Sequence, residues 1–392
     1  MEVLTMDKYR LTESDFEAYT ELFYYSFNID PNEADKKTVR AMYEHADVYG
    51  SKVNGQLMTS VMCLPLMTNF FGRKFKITSF ANVMSAPEYS NSKGINILTN
   101  QAMIDMHQNN VVLSYLDPFS YDYYRRFGYE QVFELLKMTI PFNKFAKRPQ
   151  ATTGYIKRYK FFEVADEIHG IFDKYNTHGG IVEEPWLWDI LKLRYPNYLA
   201  ALTFDDNKVT GYLIYSIENK IFTIHDIIYQ TTDSFLNMMH FIRKHSSICK
   251  TLVIRSADTN LKPDVFVTDP LATKVEIDPF MMVRIIDLSE FMTNYPTQMD
   301  NVGTIRINVT DDLAWNNHLW DLSIYNGKVK FVESAATIGD VSVDIQTLTK
   351  AMFGYQRLEE SFMIGEVLGD LDKIRTIDQI FINEPAQLNG EF

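Results

Sequence analysis

The stretch from Phe75 to Leu116 constrains the fold more than any other. An apolar strand runs into Val83-Met84-Ser85-Ala86-Pro87, a loop follows, an amphipathic helix starts at Gly94, and a second apolar strand covers Val111 to Leu116. The helix sets Ile95, Leu98, Ala102 and Met106 on one side, at the three-to-four-residue spacing of a single buried face. Strand, loop, glycine, helix is the order that gathers backbone amides around a phosphate, because the first N–H groups of a helix have no internal acceptor. Beyond the second strand stands Phe119-Ser120-Tyr121-Asp122-Tyr123-Tyr124-Arg125-Arg126-Phe127-Gly128-Tyr129, followed by another apolar run, Gln131 to Met138. A cluster of phenols at a strand end can supply a proton to a leaving group.

At 392 residues the chain exceeds one ordinary core, so two or three domains are expected. The first, residues 1–149, opens with cap-type residues before a helix whose apolar positions are Phe16, Tyr19, Phe23 and Phe27. The strands Val48 to Val53 and Gln56 to Thr68 meet across Asn54-Gly55, a hairpin signal. The second, residues 150–283, holds helices around Phe161 to Tyr175 and Glu184 to Lys192 and a hairpin across Asp205-Asp206-Asn207. It then repeats strand, helix, strand as Ile221 to Tyr229, Asp233 to Lys244 and Thr251 to Arg255. The equivalent turn, Tyr229 to Asp233, has no glycine, so this domain is not expected to hold a pyrophosphate. The third, residues 284–392, alternates over Thr304 to Val309, Leu319 to Tyr325 and Val329 to Glu333, with Asn326-Gly327 as a hairpin turn. These predict an antiparallel sheet, accompanied by helices around Asp344 to Phe353 and Ile377 to Ile382. The fold class is α/β, or α+β.

Composition narrows the function classes. A formal net charge of −13 argues against nucleic-acid binding and favours cationic partners. No apolar run approaches the roughly 20 residues that span a bilayer, and Met1 to Arg10 lacks the pattern of a secretion signal, so a cytoplasmic protein with no membrane partner is expected. Cys63 and Cys249, each in an apolar context, suit core packing in a reducing compartment. The histidines show no metal-like spacing, no Ser/His/Asp triad announces itself, and no metal is expected. Asp311-Asp312 reads as a solvated turn.

The order of elements resembles the GNAT N-acetyltransferases, and Tyr124-Arg125-Arg126-Phe127-Gly128-Tyr129 narrows the resemblance to the Eis-like (enhanced intracellular survival) group. The resemblance covers the whole chain in domain order and length, with its sharpest motif at positions 117 to 129. It implies tandem GNAT domains followed by a sterol-carrier-like domain, and acetyl-CoA as co-substrate. It implies that Val83, Met84 and Ser85 run beside the pantetheine arm, and that Asn91, Ser92, Lys93, Gly94, Ile95 and Asn96 form the pyrophosphate loop. Tyr124 takes the place of the family's general acid. Tyr121, Tyr123 and Tyr129 compete on residue type alone, and register against Phe127-Gly128-Tyr129 favours Tyr124. Eis-like proteins end on an aromatic residue whose carboxylate reaches the active site, which matches Phe392 as general base. Glu391 and Asp30 would attract an ammonium group.

The resulting expectation is direct acetyl transfer to an amine of a small cationic acceptor, polyamine-like or aminoglycoside-like, by a homo-oligomer that relatives form commonly as a hexamer. Two alternatives stay open. The loop carries a single cation, Lys93, where relatives have several, which suits a degenerate homologue that binds a ligand without catalysis. The other alternative is acetylation of a protein lysine or N-terminus.

Overall fold

The computed structural model describes residues 9–89, 93–182 and 184–388. Asn91, Ser92, Glu391 and Phe392 therefore lie outside the described residues. The chain forms two compact units. One combines the chain up to Phe133 with Phe280–Ala386, and the other is built on Glu134–Pro279.

In the first unit the chain runs α1 (Phe16–Phe27), α2 (Glu33–His45), β1 (Asp47–Val53), β2 (Gln56–Phe70), β3 (Arg73–Ser85), α3 (Gly94–Gln108), β4 (Leu113–Leu116), α4 (Tyr121–Arg125) and β5 (Glu130–Gln131). Helix α2 is absent from the sequence reading, although its start signal is present. The Asn32 side chain accepts from the amides of Ala34 and Asp35 while the Asp35 carboxylate accepts from Asn32 N, a reciprocal cap. The β1–β2 hairpin turns at Asn54-Gly55 as anticipated, both at positive φ (52° and 81°), the geometry whose twist matches the flanking strands.

The second unit contains β6 (Glu134–Pro141), β7 (Tyr155–Lys160), α5 (Ala165–Tyr175), β8 (His178–Val182), α6 (Pro185–Arg194), β9 (Leu199–Asp205), β10 (Lys208–Glu218), β11 (Ile221–Tyr229), α7 (Thr232–Arg243), β12 (Thr251–Ser256) and β13 (Lys274–Pro279). Its sheet runs β13-β6-β12-β11-β10-β9-β7, with β11 and β12 parallel. Alternate residues of β6, Leu136, Met138 and Ile140, join Phe222, Ile224, Leu252 and Ile254 in one core.

The chain then returns to the first unit as β14 (Met282–Ile285), α8 (Leu288–Thr293), β15 (Val302–Thr310), β16 (Leu319–Tyr325), β17 (Lys328–Glu333), β18 (Val341–Asp344), α9 (Ile345–Met352), α10 (Leu358–Met363), β19 (Leu368–Gly369) and α11 (Leu371–Ile380). Strand β14 enters the first sheet between β4 and β5, giving the order β1-β2-β3-β4-β14-β5. The single strand read over Gln131 to Met138 is thus two strands in different sheets. Val132 and Phe133, at the break, are apolar and buried like residues of a continuous strand. Boundaries drawn at 149 and 283 assign β6 and β14 by their position along the chain, whereas strand pairing puts β6 with the second sheet and β14 with the first.

The C-terminal sheet is ordered β17-β16-β15-β18-β19. It is antiparallel as read, except that β15 and β18 pair in parallel. Its segment is joined to the first sheet by interlocked rings. Phe291 lies 5.3 Å from Phe70 and 5.1 Å from Phe75, and Phe353 lies 5.0 Å from Phe70 and 5.9 Å from Phe133. All five rings are buried, so this layer behaves as one core with edge-to-face contacts.

Candidate functional site

Strand β3 pairs with β4 in parallel only at Ile77, Thr78 and Ser79, opposite Leu113, Ser114 and Tyr115. From Phe80 to Ser85 it keeps β2 as a partner but has none in β4. Its register against β2 also slips there, from Met62↔Ala81 to Ser60↔Met84, and Asn82 takes a left-handed conformation (φ 48°). The Asn82 amide donates to the Tyr19 hydroxyl at 3.0 Å, tying the irregular step to α1. Such a bulge re-aims the strand and leaves a row of main-chain groups open on one edge. Val83 and Ser85 on this edge are half-buried, and Met84 is buried.

Helix α3 is the next helix of four or more residues along the chain, beginning at Gly94. Its N-cap, Lys93, makes no side-chain capping bond, and the first turn has no acidic residue. Lys93 and Asn96 are exposed, while Ile95 faces the core. A helix start of this kind favours an anion through its oriented amides and partial positive charge. The matching turn of the second unit is closed. The Thr231 hydroxyl caps Ser234 N, and Asp233 in the first turn of α7 accepts from Thr152 N, the Thr152 hydroxyl and the Thr153 hydroxyl. A carboxylate already bonded at that point repels a second anion.

The four phenols of the Phe119–Tyr129 segment are distinguished by their partners. The Tyr121 hydroxyl donates to Phe280 O at 2.7 Å, and burial pushes its pKa up to about 12. Tyr129, fully buried, shares a 2.7 Å hydrogen bond with the Ser114 hydroxyl. Tyr123 lies under the Arg126 guanidinium, 4.4 Å from the ring centre. Tyr124 is also buried, with its ring edge-on to Phe119, Tyr123 and Tyr129 at 5.3, 5.1 and 6.1 Å. Its hydroxyl makes no hydrogen bond among the described residues. Burial, then the Tyr123 phenol and the Asp117 carboxylate, raise its pKa above the usual tyrosine value. Tyr124 belongs to the same buried cluster as Phe80, on the part of β3 that has no partner in β4, and Ile95 and Leu98 of α3, so the phenol, that strand and the start of α3 share one core.

Cavities lined by described residues open on this unit. One, about 540 Å³, is lined by Asn96, Asn100 and Ile104 of α3 together with Arg126, Phe127 and Trp315. The other, about 630 Å³, is lined by Tyr24, Tyr25, Asn28, Ile29 and Asp30 at the end of α1. Asp30 is exposed there. Asp311 is not the solvated residue anticipated. It is buried and accepts from Arg284 Nη2 at 2.5 Å, whereas Asp312 stays exposed. Neither residue of the pair announced itself, since a lone Arg in an apolar strand and an Asp in a polar turn meet only once β14 is inserted. Cys63 and Cys249 are buried and free, as read. Among the described residues no group of three or more His, Cys, Asp or Glu could hold a metal, and no helix is long and apolar enough to cross a membrane.

Residues 9–132 match the model of an acetyltransferase (GNAT) domain, residues 179–285 match a second acetyltransferase (GNAT) domain, and residues 288–389 match a sterol carrier protein domain. The chain is a GNAT-domain protein with an Eis-like order of domains. The chain is similar over 98% of its length to a structure from Enterococcus faecalis, described as a conserved protein of unknown function and probable N-acyltransferase. The two are 28% identical with a TM-score of 0.92, and 99% of the E. faecalis chain is covered. Its fold is also that of a GCN5-related N-acetyltransferase from Anabaena variabilis (18% identity, TM-score 0.85, 97% and 98% of the two chains covered). The same holds for Eis1 from Mycobacterium abscessus (15% identity, TM-score 0.82, 98% and 99% covered). No curated protein matches the sequence. The chain is an N-acetyltransferase with two GNAT domains followed by a sterol-carrier-like domain.

Proposed function

We propose that this Eis-like protein acetylates an amine of a small cationic acceptor, polyamine-like or aminoglycoside-like, with Tyr124 as general acid. The observation that carries the reading is the Tyr124 phenol, without a partner among the described residues, in one core with the β3 segment that has no partner in β4 and with the start of α3. Acetyl-CoA supplies an activated thioester. Val83, Met84 and Ser85 offer main-chain groups along the open strand edge, and the amides of Gly94, Ile95 and Asn96 with the Lys93 ammonium favour its phosphates. Asn91 and Ser92 complete the loop in this proposal.

The acid–base logic follows from the phenol's surroundings. A tyrosine ordinarily titrates near ~10 and a thiol near ~8.5, so a phenol raised further by burial keeps its proton at neutral pH and still delivers it to a departing thiolate. The Phe392 carboxylate is the proposed base for the acceptor ammonium. Glu391 and Asp30 supply negative charge for it, and Asp30 lines the cavity at the end of α1.

Isothermal titration with acetyl-CoA, followed by thiol release with spermidine and with kanamycin, tests the reading. Tyr124→Phe is expected to lower kcat about 100-fold or more with coenzyme affinity nearly unchanged, and deletion of Phe392 is expected to act likewise. Undetectable acetyl-CoA binding would leave a ligand-binding protein instead. Normal kinetics after the deletion would remove the carboxylate from the mechanism.

A further inference from the structure

Arg284 is fully buried, on the face of β14 shared with Met282, and Met282 packs in the same core as Tyr124 and Tyr129. Its guanidinium packs against Gly128. A Cβ placed on that glycine would stand 2.7 Å from both Cζ and Nε, and the glycine itself has φ +78°. Gly128 is the turn that closes α4. The Tyr124 carbonyl accepts from Phe127 N at 2.9 Å and Tyr129 N at 3.4 Å, so the main chain of Tyr124 is held by the residues on either side of Gly128.

On its other side the guanidinium is anchored in the C-terminal segment. Asp311 accepts from Arg284 Nη2, and its second oxygen accepts from Asn316 Nδ2 at 2.9 Å. Asn316 in turn donates to Ile286 O and accepts from Leu288 N. Arg284, Asp311 and Asn316 are all buried. Arg284 Nε and Nη1 are buried and have no hydrogen-bond partner among the described residues. An ion pair with spare donors is a poor way to hold a core together, since apolar side chains of similar volume do so as well or better. Buried pairs of this kind serve best where they fix one arrangement among several.

We propose that Arg284 is a positioning residue for the general acid, pressing on Gly128 to fix the α4–β5 turn and with it Tyr124, and that the sterol-carrier-like domain holds it there through Asp311. This rests on the role given to Tyr124 above. Arg126 and Asp312, charged residues that line the cavity beside the pair, are exposed.

The test is a double-mutant cycle in the full chain, using thiol release from acetyl-CoA with spermidine. Arg284→Gln is expected to lower kcat on the order of tenfold to a hundredfold, the loss typical of a small misplacement, with the KM for acetyl-CoA within about twofold and Arg284→Lys restoring part of the rate. In a Tyr124→Phe background the same substitution is expected to cost almost nothing more, because its effect passes through that phenol. Equal losses in both backgrounds, or an unchanged kcat, would overturn the proposal. Asp311→Asn, which keeps the shape and removes the charge, repeats the cycle should Arg284→Gln not fold. If neither variant folds, the pair is structural and the proposal falls. A wild-type chain that releases no thiol would overturn the acetyl-transfer reading itself, whereas wild-type turnover with additive losses would overturn this inference alone.

Discussion

A phenol donates a proton only while it holds one, and Tyr124 is held in its neutral form by burial before any nearby charge acts. The raised pKa sets the sign of the pH dependence. The protonated, competent form persists as pH rises past the ordinary tyrosine value of ~10, so kcat should show no loss attributable to Tyr124 below that pH. A kcat profile of the wild type falling with a midpoint near pH 8, and absent in Tyr124→Phe, would contradict this. Gly128 is the other residue-scale test. Its positive φ and its contact with Arg284 leave no room for a methyl group. Gly128→Ala is expected to destabilise the protein by about 1–3 kcal/mol, the cost of forced overpacking, with the midpoint of denaturant unfolding as the measure.

At the scale of elements, two starts of similar helices behave differently. Helix α3 begins without a side-chain cap or an acidic first turn, while α7 begins with Thr231 and Asp233 already bonded. One coenzyme per chain is the expected stoichiometry by titration, and two equivalent sites would refute the assignment. Strand β11 carries its own irregularity, with the register against β10 slipping at Ile214/Tyr215 so that His225 is passed over. His225 stacks on Tyr198 at 4.0 Å and bonds the Ser216 hydroxyl at 2.9 Å. Burial, then repulsion from Arg255, lowers its pKa to about 4. Because the folded state resists protonation where the unfolded histidine, near ~6.5, accepts it, stability is full above that value and declines as pH falls toward about 4. Thermal midpoints measured between those limits should drop in the wild type and drop less in His225→Gln.

For the whole molecule, the aromatic layer around Phe291 makes the first GNAT sheet and the C-terminal segment one core. Phe291→Ala removes a fully buried ring and is expected to cost about 3–5 kcal/mol. Hydrogen exchange should then show β3 and β15 losing protection together. Loss confined to β15 would mean that the two sheets are separable.

The sequence by itself determined many of the elements and the order of the domains. Period-two and three-to-four-residue patterns, the Asn54-Gly55 and Asn326-Gly327 turns and the motif at Tyr124–Tyr129 are local, and local rules read them. The phenol at 124 was singled out by register against Phe127-Gly128-Tyr129. What the coordinates add is that its rivals at 121 and 129 are bonded elsewhere and Tyr123 lies under a guanidinium. Only the tertiary structure decided that β14 joins the first sheet while β6 joins the second, and that Arg284 meets Asp311 beneath Gly128. The reason is physical. Strand partners are chosen by main-chain hydrogen bonds and by which buried faces fit together, and a buried ion pair forms between residues whose separation along the chain carries no signal until the sheet is closed.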